Sequence, residues 1–323
     1  MPPPDPAVVA ARRAVRAALA GTPPGSLTLA AVSGGPDSLA LLAALAWEAP
    51  RHDRRAGAVT VDHGLDPGSA ARAAAVAACA ESLGAPATVA TVAVGTAGGP
   101  ENAARDARYA ALDAVAAERG AVAVLLGHTR DDQAEQVLLG LARGSGARSL
   151  AGMPRRRGIY LRPFLDLPRA TTEAACAALG LTPWDDPANA DPALTRARVR
   201  HATLPALERD LGPGVAAALA RTADLLRADA DLLDRLAAEA WPDVTPPLDV
   251  ARLAALDPAL RSRVLRRAAI AAGAPATALT AAHVATVDAL VTAWHGQRGA
   301  DLPGGLAAVR TCDTLAFRPS GPF

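Results

Sequence analysis

Short apolar runs alternate with longer stretches of helical spacing over the first 141 residues of the chain. The apolar runs have the length and the even hydrophobicity of strands that are buried on both faces, and leucines and alanines at helical intervals follow each run. After a helix over residues 7–20, the pattern predicts strands over residues 27–32, 58–61, 87–94 and 122–126 and helices over residues 39–47, 70–83, 102–119 and 131–141. This alternation favours an α/β fold, with a parallel sheet covered by helices on both faces.

The pattern changes at Arg155, where arginine-rich loops and short helices replace the alternation as far as the turn at residues 211–214. A long helix is predicted over residues 215–240, and the prolines of the following "WPDVTPPLDV" stretch are typical of a linker. The remaining residues predict a smaller, mainly helical domain that ends in a glycine-rich hairpin around "LPGGLAAVR". We therefore predict an α/β domain over residues 1–212, a helical connector and linker over residues 213–250 and a C-terminal domain over residues 251–323.

Composition narrows the functions that this fold can carry. The 323 residues have a formal net charge of +1, so the chain has no overall field that attracts nucleic acid. Aromatic residues make up 3% of the chain, and the sequence contains no lysine, so every permanently cationic side chain is an arginine. An RNA-binding surface would therefore be a local patch of arginines with few rings for base stacking.

The three cysteines, Cys79, Cys176 and Cys312, lie far apart and form no C-x-x-C pair. This spacing argues against a disulfide framework, a zinc site and a cysteine-ligated iron–sulfur cluster. The start of the chain mixes Asp5 and several arginines into short apolar stretches, unlike a secretory signal, and no apolar run approaches the ~18 residues of a membrane helix. We therefore expect a cytoplasmic protein without a membrane partner, and the sequence implies no protein partner.

Polar clusters follow three of the predicted strands: "SGGPDS" at residues 33–38, "VDHGL" at residues 61–65 and "GHTRDDQAE" at residues 127–135. The carboxyl ends of parallel strands lie at one edge of a sheet, and the loops there form the ligand sites of open α/β folds. The three clusters therefore predict one composite site.

The first cluster has the composition of a phosphate-binding turn. Two glycines let backbone amides approach an anion at the positive N-terminus of a helix, and Pro36 suits the first helical turn. An intervening Mg²⁺ explains a carboxylate beside phosphate, which makes Asp37 a candidate metal ligand. The candidate phosphate-binding residues are Ser33, Gly34, Gly35, Pro36, Asp37 and Ser38. The alternative is an ordinary strand-to-helix turn capped by a serine or an aspartate; the Walker pattern G-x-x-x-x-G-K-[ST] does not occur in the sequence.

The "SGGPDS" hexapeptide resembles the signature of the PP-loop, or N-type, ATP pyrophosphatases. Enzymes of this superfamily hold the pyrophosphate part of ATP and expose the α-phosphorus, so that a substrate oxygen is adenylated. The resemblance therefore implies ATP and Mg²⁺ as cofactors and an adenylation step, but it does not identify the substrate.

Four further stretches occur in one order: "VDHGLDPGSA", "GHTRDDQAEQVLLGLARGSGARSLAGM", "RPFLDLPR" and "DDPANADPALTRARVRHATLPALE". The set resembles the tRNA(Ile)-lysidine synthase family over residues 27–208, and more weakly over the C-terminal domain through "DPALRSRVLRRA" and "LPGGLAAVR". The resemblance implies that the O2 atom of the wobble cytidine in a CAU anticodon of tRNA(Ile) attacks the α-phosphate of ATP and releases pyrophosphate. Free L-lysine then attacks C2 through its ε-amine and expels AMP, which gives lysidine.

The third cluster supplies candidates for the lysine step. Asp132 and Glu135 lie three residues apart on one side of a predicted helix, so that the pair can hold an ammonium group and accept its proton. The resemblance implies the same role, lysine binding and catalysis, for these two positions. For Asp131 we prefer the alternative, an acidic first turn that stabilises the helix N-terminus. His128 is assigned to orienting phosphate or substrate, and Asp62 and His63 of the second cluster are assigned to nucleotide binding.

Arginines complete the predicted site. The resemblance implies a nucleotide contact from the predicted helix that carries Arg105 and Arg108, and we prefer Arg108. Arg196 and Arg200 are four residues apart, as expected for one helix face, and would bind tRNA phosphate or stabilise the adenylated intermediate; we assign Arg200 to the site, and a solvated face stays open as the alternative. The basic run at residues 155–157 is expected to be a flexible loop.

The chain departs from the family pattern at four positions. The second histidine of the family's "GHH" is Thr129, the threonine after the glutamate is Gln136, the asparagine of "RN" is Ala197, and the arginine of "DHGLR" is Asp66. These departures concern substrate contacts and leave the phosphate turn and the acid pair unchanged. Two alternative functions stay open: another PP-loop enzyme that modifies tRNA, such as a cytidine 2-thiolation enzyme, and a tRNA-binding protein without catalytic activity.

Overall fold

The computed structural model describes residues 3–64, 68–92, 100–144, 146–297 and 299–320, with the backbone alone described at residues 100–102 and 188. The chain divides into two compact units. The N-terminal unit comprises Met1–Leu139 and Gly152–Arg221, and the C-terminal unit comprises Gly140–Ala151 and Thr222–Phe323. The predicted boundaries at residues 212 and 250 stay a prediction.

The helices and strands, in chain order, are α1 (Pro6–Leu19), β1 (Leu27–Ala31), α2 (Pro36–Arg51), β2 (Arg55–Asp62), α3 (Ser69–Ser82), β3 (Ala87–Thr91), α4 (Pro100–Arg119), β4 (Ala121–Leu125), α5 (Arg130–Ala142), α6 (Ala147–Leu150), β5 (Arg156–Arg157), β6 (Tyr160–Leu161), α7 (Arg169–Ala178), α8 (Thr195–Arg198), α9 (Leu204–Leu211), α10 (Val215–Ala240), β7 (Leu248–Asp249), α11 (Val250–Ala254), α12 (Pro258–Ala271), α13 (Ala281–Thr292), β8 (Ala300–Leu302), β9 (Leu306–Thr311) and β10 (Thr314–Pro319). A π turn at Val199–Thr203 joins α8 to α9.

The described part of the N-terminal unit contains a six-stranded sheet in the order β3-β2-β1-β4-β6-β5. All neighbours pair in parallel except β5, which is antiparallel to β6. The predicted parallel sheet is therefore confirmed. The chain runs outward from β1 to β2 and β3 and then returns to β4 on the other side of β1, so the strand order reverses between β1 and β4. Ligands of open α/β sheets bind at this kind of switch point.

Helices cover both faces of this sheet because its strands are apolar on both sides. On one face, the nearly continuous leucine and alanine run of α2 packs with α1, α3 and α7, and Leu41, Leu42 and Leu45 are fully buried. Each such leucine contributes about 1.5–3 kcal/mol of hydrophobic stabilisation. On the other face, Leu112 and Val115 of α4 pack against β1, β2 and β4. The result is a rigid platform beneath the carboxyl ends of β1 and β4.

Three segments differ from the sequence expectations. The stretch expected to be a linker buries Trp241 and Leu248 in the core of the C-terminal unit, and its end forms β7. Prolines favour extended backbone, which suits entry into a strand as well as a linker. The basic run expected to be a loop contains β5, which pairs with β6. The predicted strand over residues 87–94 is described as far as Thr91, and residues 93–99 lie outside the described part.

The C-terminal unit combines helices with an antiparallel sheet. Its strands follow the order β7-β10-β9-β8, and the predicted glycine-rich hairpin is the β8–β9 hairpin, whose turn contains Gly304 and Gly305. Apolar side chains of α11, α12 and α13 pack on this sheet around Leu253, Leu265 and Leu290. Across the described ranges of the chain, no helix is both long enough and apolar enough to cross a membrane.

Candidate active site

The "SGGPDS" segment forms the turn between β1 and α2. Gly34 has a φ of +91°, and a Cβ atom there would lie 3.1 Å from Cγ2 of Val76, so this position requires glycine. Gly35 is the N-cap of α2 and carries no side chain that could accept hydrogen bonds from the first-turn amides. These amides are therefore left to an anion at the helix N-terminus.

The two serines of the turn have different surroundings. Ser38 is buried, its hydroxyl donates to the Gly35 carbonyl oxygen at 2.9 Å, and it accepts from the Ser33 backbone N–H at 3.2 Å. Ser38 therefore braces the turn from within. Ser33 is exposed, so its hydroxyl is accessible to a bound ligand.

Gly127, directly after β4, lets the third cluster approach the turn. A Cβ atom at this position would lie 3.0 Å from the backbone carbonyl carbon and oxygen of Asp37 and 3.1 Å from the backbone nitrogen of Ser38. The chain leaving β4 is thus in direct contact with the first turn of α2. This contact places the acid pair of α5 beside the phosphate turn.

Asp132 is held by a hydrogen-bonded turn at the start of α5. Its Oδ2 atom accepts from the backbone N–H of Thr129 at 2.7 Å and from the Thr129 hydroxyl at 2.9 Å. Thr129 is fully buried, so these bonds are protected from water. The departure at Thr129 therefore has a structural role, because it orients Asp132.

Three arginines surround the acid pair. Glu135 is fully buried and accepts from Nε of Arg200 at 2.7 Å and from Nε of Arg196 at 2.8 Å. Asp132 Oδ1 accepts from Arg169 at 2.9 Å and from Arg200 at 3.1 Å. Burial opposes the ionisation of Asp132, but Arg169 and Arg196 hold its pKa below the ordinary value. Both acids therefore face guanidinium groups.

Asp37 belongs to the same network. Its Oδ1 atom accepts from the Thr172 hydroxyl, and its Oδ2 atom lies 3.4 Å from Nε of Arg169. Burial raises the pKa of Asp37 to about 6, against the opposing effects of Thr172 and Arg169. Arg169 thus joins Asp37 of the phosphate turn to Asp132 and Glu135.

The sequence analysis assigns no role to Arg169 or Thr172, although Arg169 is the last residue of the "RPFLDLPR" motif and both residues lie at the start of α7. A signal was available, because a cation in the first turn of a helix opposes the helix dipole and needs acidic partners. Arg169 has such partners in Asp37, Asp132 and Glu135. The sequence could not show which acids these are, because Asp37 is 132 residues away.

Two histidines lie beside this network. Burial lowers the pKa of His128 to about 4, and burial together with Arg108 lowers the pKa of His63, so both rings are neutral at pH 7. Among the described residues, the buried Nδ1 atoms of both rings have no hydrogen-bond partner. Arg108 is close enough to interact electrostatically with both histidines and with Arg196. Unpaired buried ring nitrogens near the carboxyl ends of strands are available to a polar ligand.

The remaining candidates have local partners. Asp62 accepts from the Gly64 backbone N–H at 3.0 Å, and a hydrogen bond from Ser69 lowers its pKa, so Asp62 joins the end of β2 to the first residue of α3. Its assignment to nucleotide binding stays a prediction. Arg105 lies over the ring of Tyr109, at 5.4 Å from the ring centroid. Ala197 is buried within α8, and Asp66 lies outside the described residues.

The fold and this site define a PP-loop protein, with a glycine turn between β1 and α2 at the switch point of a parallel sheet. Residues 10–207 match the family model of the PP-loop domain, and residues 248–315 match the model of the TilS substrate binding domain. A solved structure, the U34-tRNA thiolase NcsA from Methanococcus maripaludis with its [4Fe-4S] cluster, is similar with a TM-score of 0.58 and 19% identity over 68% of this chain and 80% of that chain. This likeness shows the fold alone.

Similarity in sequence is more specific. The chain is 61% identical to the tRNA(Ile)-lysidine synthase of Thermobifida fusca, over 93% of this chain and 94% of that protein. It is 58% identical to the enzyme of the same name from Streptomyces coelicolor, over 92% and 87%, and 56% identical to that of Salinispora tropica, over 96% of both. The chain belongs to the tRNA(Ile)-lysidine synthase family, which confirms the resemblance of its motifs.

Proposed function

We propose that the chain is a cytoplasmic ligase that forms a carbon–nitrogen bond between free L-lysine and the wobble cytidine of the CAU anticodon of tRNA(Ile), at the expense of ATP. One observation carries the proposal: the phosphate turn and the acid pair lie in a single hydrogen-bonded network, joined by Arg169. A reaction that adenylates one substrate and then adds an amine needs these two parts side by side.

The first step is adenylation at the phosphate turn. The amides at the N-terminus of α2 and the exposed Ser33 hydroxyl are assigned to bind the pyrophosphate part of ATP, because a helix N-terminus without a side-chain cap favours an anion. Asp37 suits Mg²⁺, because Mg²⁺ is usually bound by one or two carboxylates together with substrate phosphates. The bound ion would neutralise phosphate charge. Arg108 and Arg200 are assigned to the negative charge that develops as the cytidine O2 atom attacks the α-phosphorus.

The second step is the attack of lysine. Asp132 and Glu135 are assigned to hold the ε-ammonium group, and one of them accepts its proton. The neutral amine nitrogen then forms a bond to C2 of the cytidine, the C2–O2 bond breaks, and AMP leaves with that oxygen. The neutral ring of His128, with an unpaired Nδ1 atom, is assigned to orienting the substrate.

The test combines the protein with ATP, Mg²⁺, labelled lysine and an unmodified tRNA(Ile) transcript with a CAU anticodon. A transcript with the wobble C changed to U serves as the control. The proposal expects label in the C-containing RNA alone, with AMP formed in equal amount. Sulfur incorporation from a sulfur donor would indicate a thiolation enzyme, and tRNA binding without pyrophosphate release would indicate a binding protein.

A further inference from the structure

The carboxylates of the acid pair are saturated with hydrogen bonds. An ionised carboxylate offers about four lone-pair sites. Among the residues that the structure describes, Asp132 accepts two hydrogen bonds from Thr129 and one from each of three arginines. Glu135 accepts one from Arg169, one from Arg196 and two from Arg200. An ammonium group that reaches this pair therefore finds its acceptor sites occupied.

Charge balance leads to the same conclusion. Asp37, Asp132 and Glu135 contribute three negative charges to the described network, and Arg169, Arg196 and Arg200 contribute three positive charges. The side chain of Glu135 is fully buried, and that of Arg169 is only 17% exposed, so water screens these charges weakly. An ammonium group added to this neutral network would meet three cations at close range. At least one arginine must move before lysine can bind.

Of the three arginines, Arg169 is the one in contact with the phosphate turn as well as with the acid pair. It is in contact with both acids and also with Asp37, in the first turn of α2 where the phosphate turn ends. A guanidinium group forms strong paired hydrogen bonds with phosphate oxygens, which can replace its bonds to carboxylates. A nucleotide bound at the phosphate turn therefore offers Arg169 new acceptors within the same site.

We propose that Arg169 is a positioning residue that keeps the lysine pocket closed in the free protein and opens it by exchanging the acid pair for nucleotide phosphate. Lysine therefore binds after the nucleotide. This inference rests on the proposed function, because it assigns the acid pair to the lysine ammonium group. Thermodynamic linkage then requires that lysine tighten nucleotide binding by the same factor by which the nucleotide tightens lysine binding.

The experiment measures the dissociation constant of L-lysine by calorimetry, using the full chain alone and then with saturating α,β-methylene ATP and Mg²⁺. We expect lysine to bind at least tenfold more tightly when the nucleotide analogue is present. Arg169→Gln frees one acceptor on each acid, so this variant should bind lysine at least tenfold more tightly than the unchanged protein when no nucleotide is present. Arg169→Lys keeps a cation in place and should restore weak binding.

Arg209→Gln is the matched control, because Arg209 is exposed and pairs with the adjacent Asp210 away from the network. It should bind lysine as the unchanged protein does. The reciprocal measurement, nucleotide affinity with and without lysine, uses the unchanged protein and tests the coupling even if Arg169→Gln does not fold.

Three results would overturn the exchange: equal lysine affinity with and without the analogue, no lysine binding in either state, or an Arg169→Gln variant that binds lysine no better than the unchanged protein. Transfer of labelled lysine to the CAU transcript is measured in parallel. Normal transfer with nucleotide-independent lysine binding would remove the exchange and leave the proposed function in place. Absence of transfer would remove the proposed function itself.

Discussion

Gly127→Ala tests whether the contact between β4 and the phosphate turn sets the geometry of the site. The added Cβ atom would lie 3.0 Å from two backbone atoms of Asp37 and 3.1 Å from a third, on Ser38. Carbon atoms in contact prefer separations of about 3.5–4.0 Å. The overlap falls on backbone rather than on a mobile side chain, so the first turn of α2 must shift by several tenths of an ångström.

The size of the effect follows from this overlap. Forcing a methyl group into a packed interior costs about 1–3 kcal/mol, and each 1 kcal/mol lowers the melting temperature of a unit of this size by roughly 2–4 °C. A displacement of about 1 Å in an active site can cost roughly 100-fold in rate. We therefore expect a loss of about 2–12 °C in melting temperature, together with pyrophosphate release slower by about 10- to 100-fold.

Thermal unfolding and pyrophosphate release would be measured on the same preparations. Gly21→Ala is the matched control, because a Cβ atom there has no neighbour closer than 3.9 Å and Gly21 does not have a left-handed φ. The control should melt within about 2 °C of the unchanged protein and keep its activity. A Gly127→Ala protein that matches this control in both measurements would refute the argument.

Three further substitutions test separate parts of the site. Asp37→Asn should abolish pyrophosphate release, and normal release would remove Asp37 from the mechanism. Burial raises the pKa of Asp37 to about 6 in the folded state, so its ionised carboxylate lowers the stability of the protein above that pH. Asp37→Asn should therefore melt at a higher temperature than the unchanged protein at pH 7.5, by a margin that shrinks as the pH falls from about 6 to 4. Glu135→Gln should slow lysine transfer more than adenylation, which single-turnover assays of both steps would measure, and an equal loss in both would contradict the assignment. Thr129→Val removes a buried hydrogen bond to Asp132, worth about 1.5–3 kcal/mol for a charged acceptor, and should raise the KM for lysine roughly tenfold or more, while Thr129→Ser keeps it near the unchanged value.

The sheet could be predicted because its signal is local. Each strand is a short apolar run followed by a helical pattern, and the three polar clusters lie where the strands end. The stretch containing β7 was missed because its prolines match a linker as well as an extended strand. Its two residues become a strand through long-range pairing with β10, which no local pattern encodes.

The site shows the same division. The sequence predicts Asp37, Asp132 and Glu135 as site residues because their motifs follow strands directly. The sequence does not indicate the contacts of Arg169, because its acidic partners lie 34 to 132 residues away. In the sequence Thr129 is a departure from the family pattern, and its hydrogen bonds to Asp132 depend on the fold of the turn. Sequence indicates which residues carry reactive groups, and packing decides which cation stands beside them.

The cations of the described network are all guanidinium groups, and the sequence has no lysine side chain anywhere. An arginine side chain stays protonated at any physiological pH, so it cannot act as a nucleophile. An adenylated cytidine is an electrophile that a neighbouring side-chain amine could attack. With the proposed function, the chain can therefore place positive charge around this intermediate without a side-chain amine that would compete with the ε-amine of the incoming lysine.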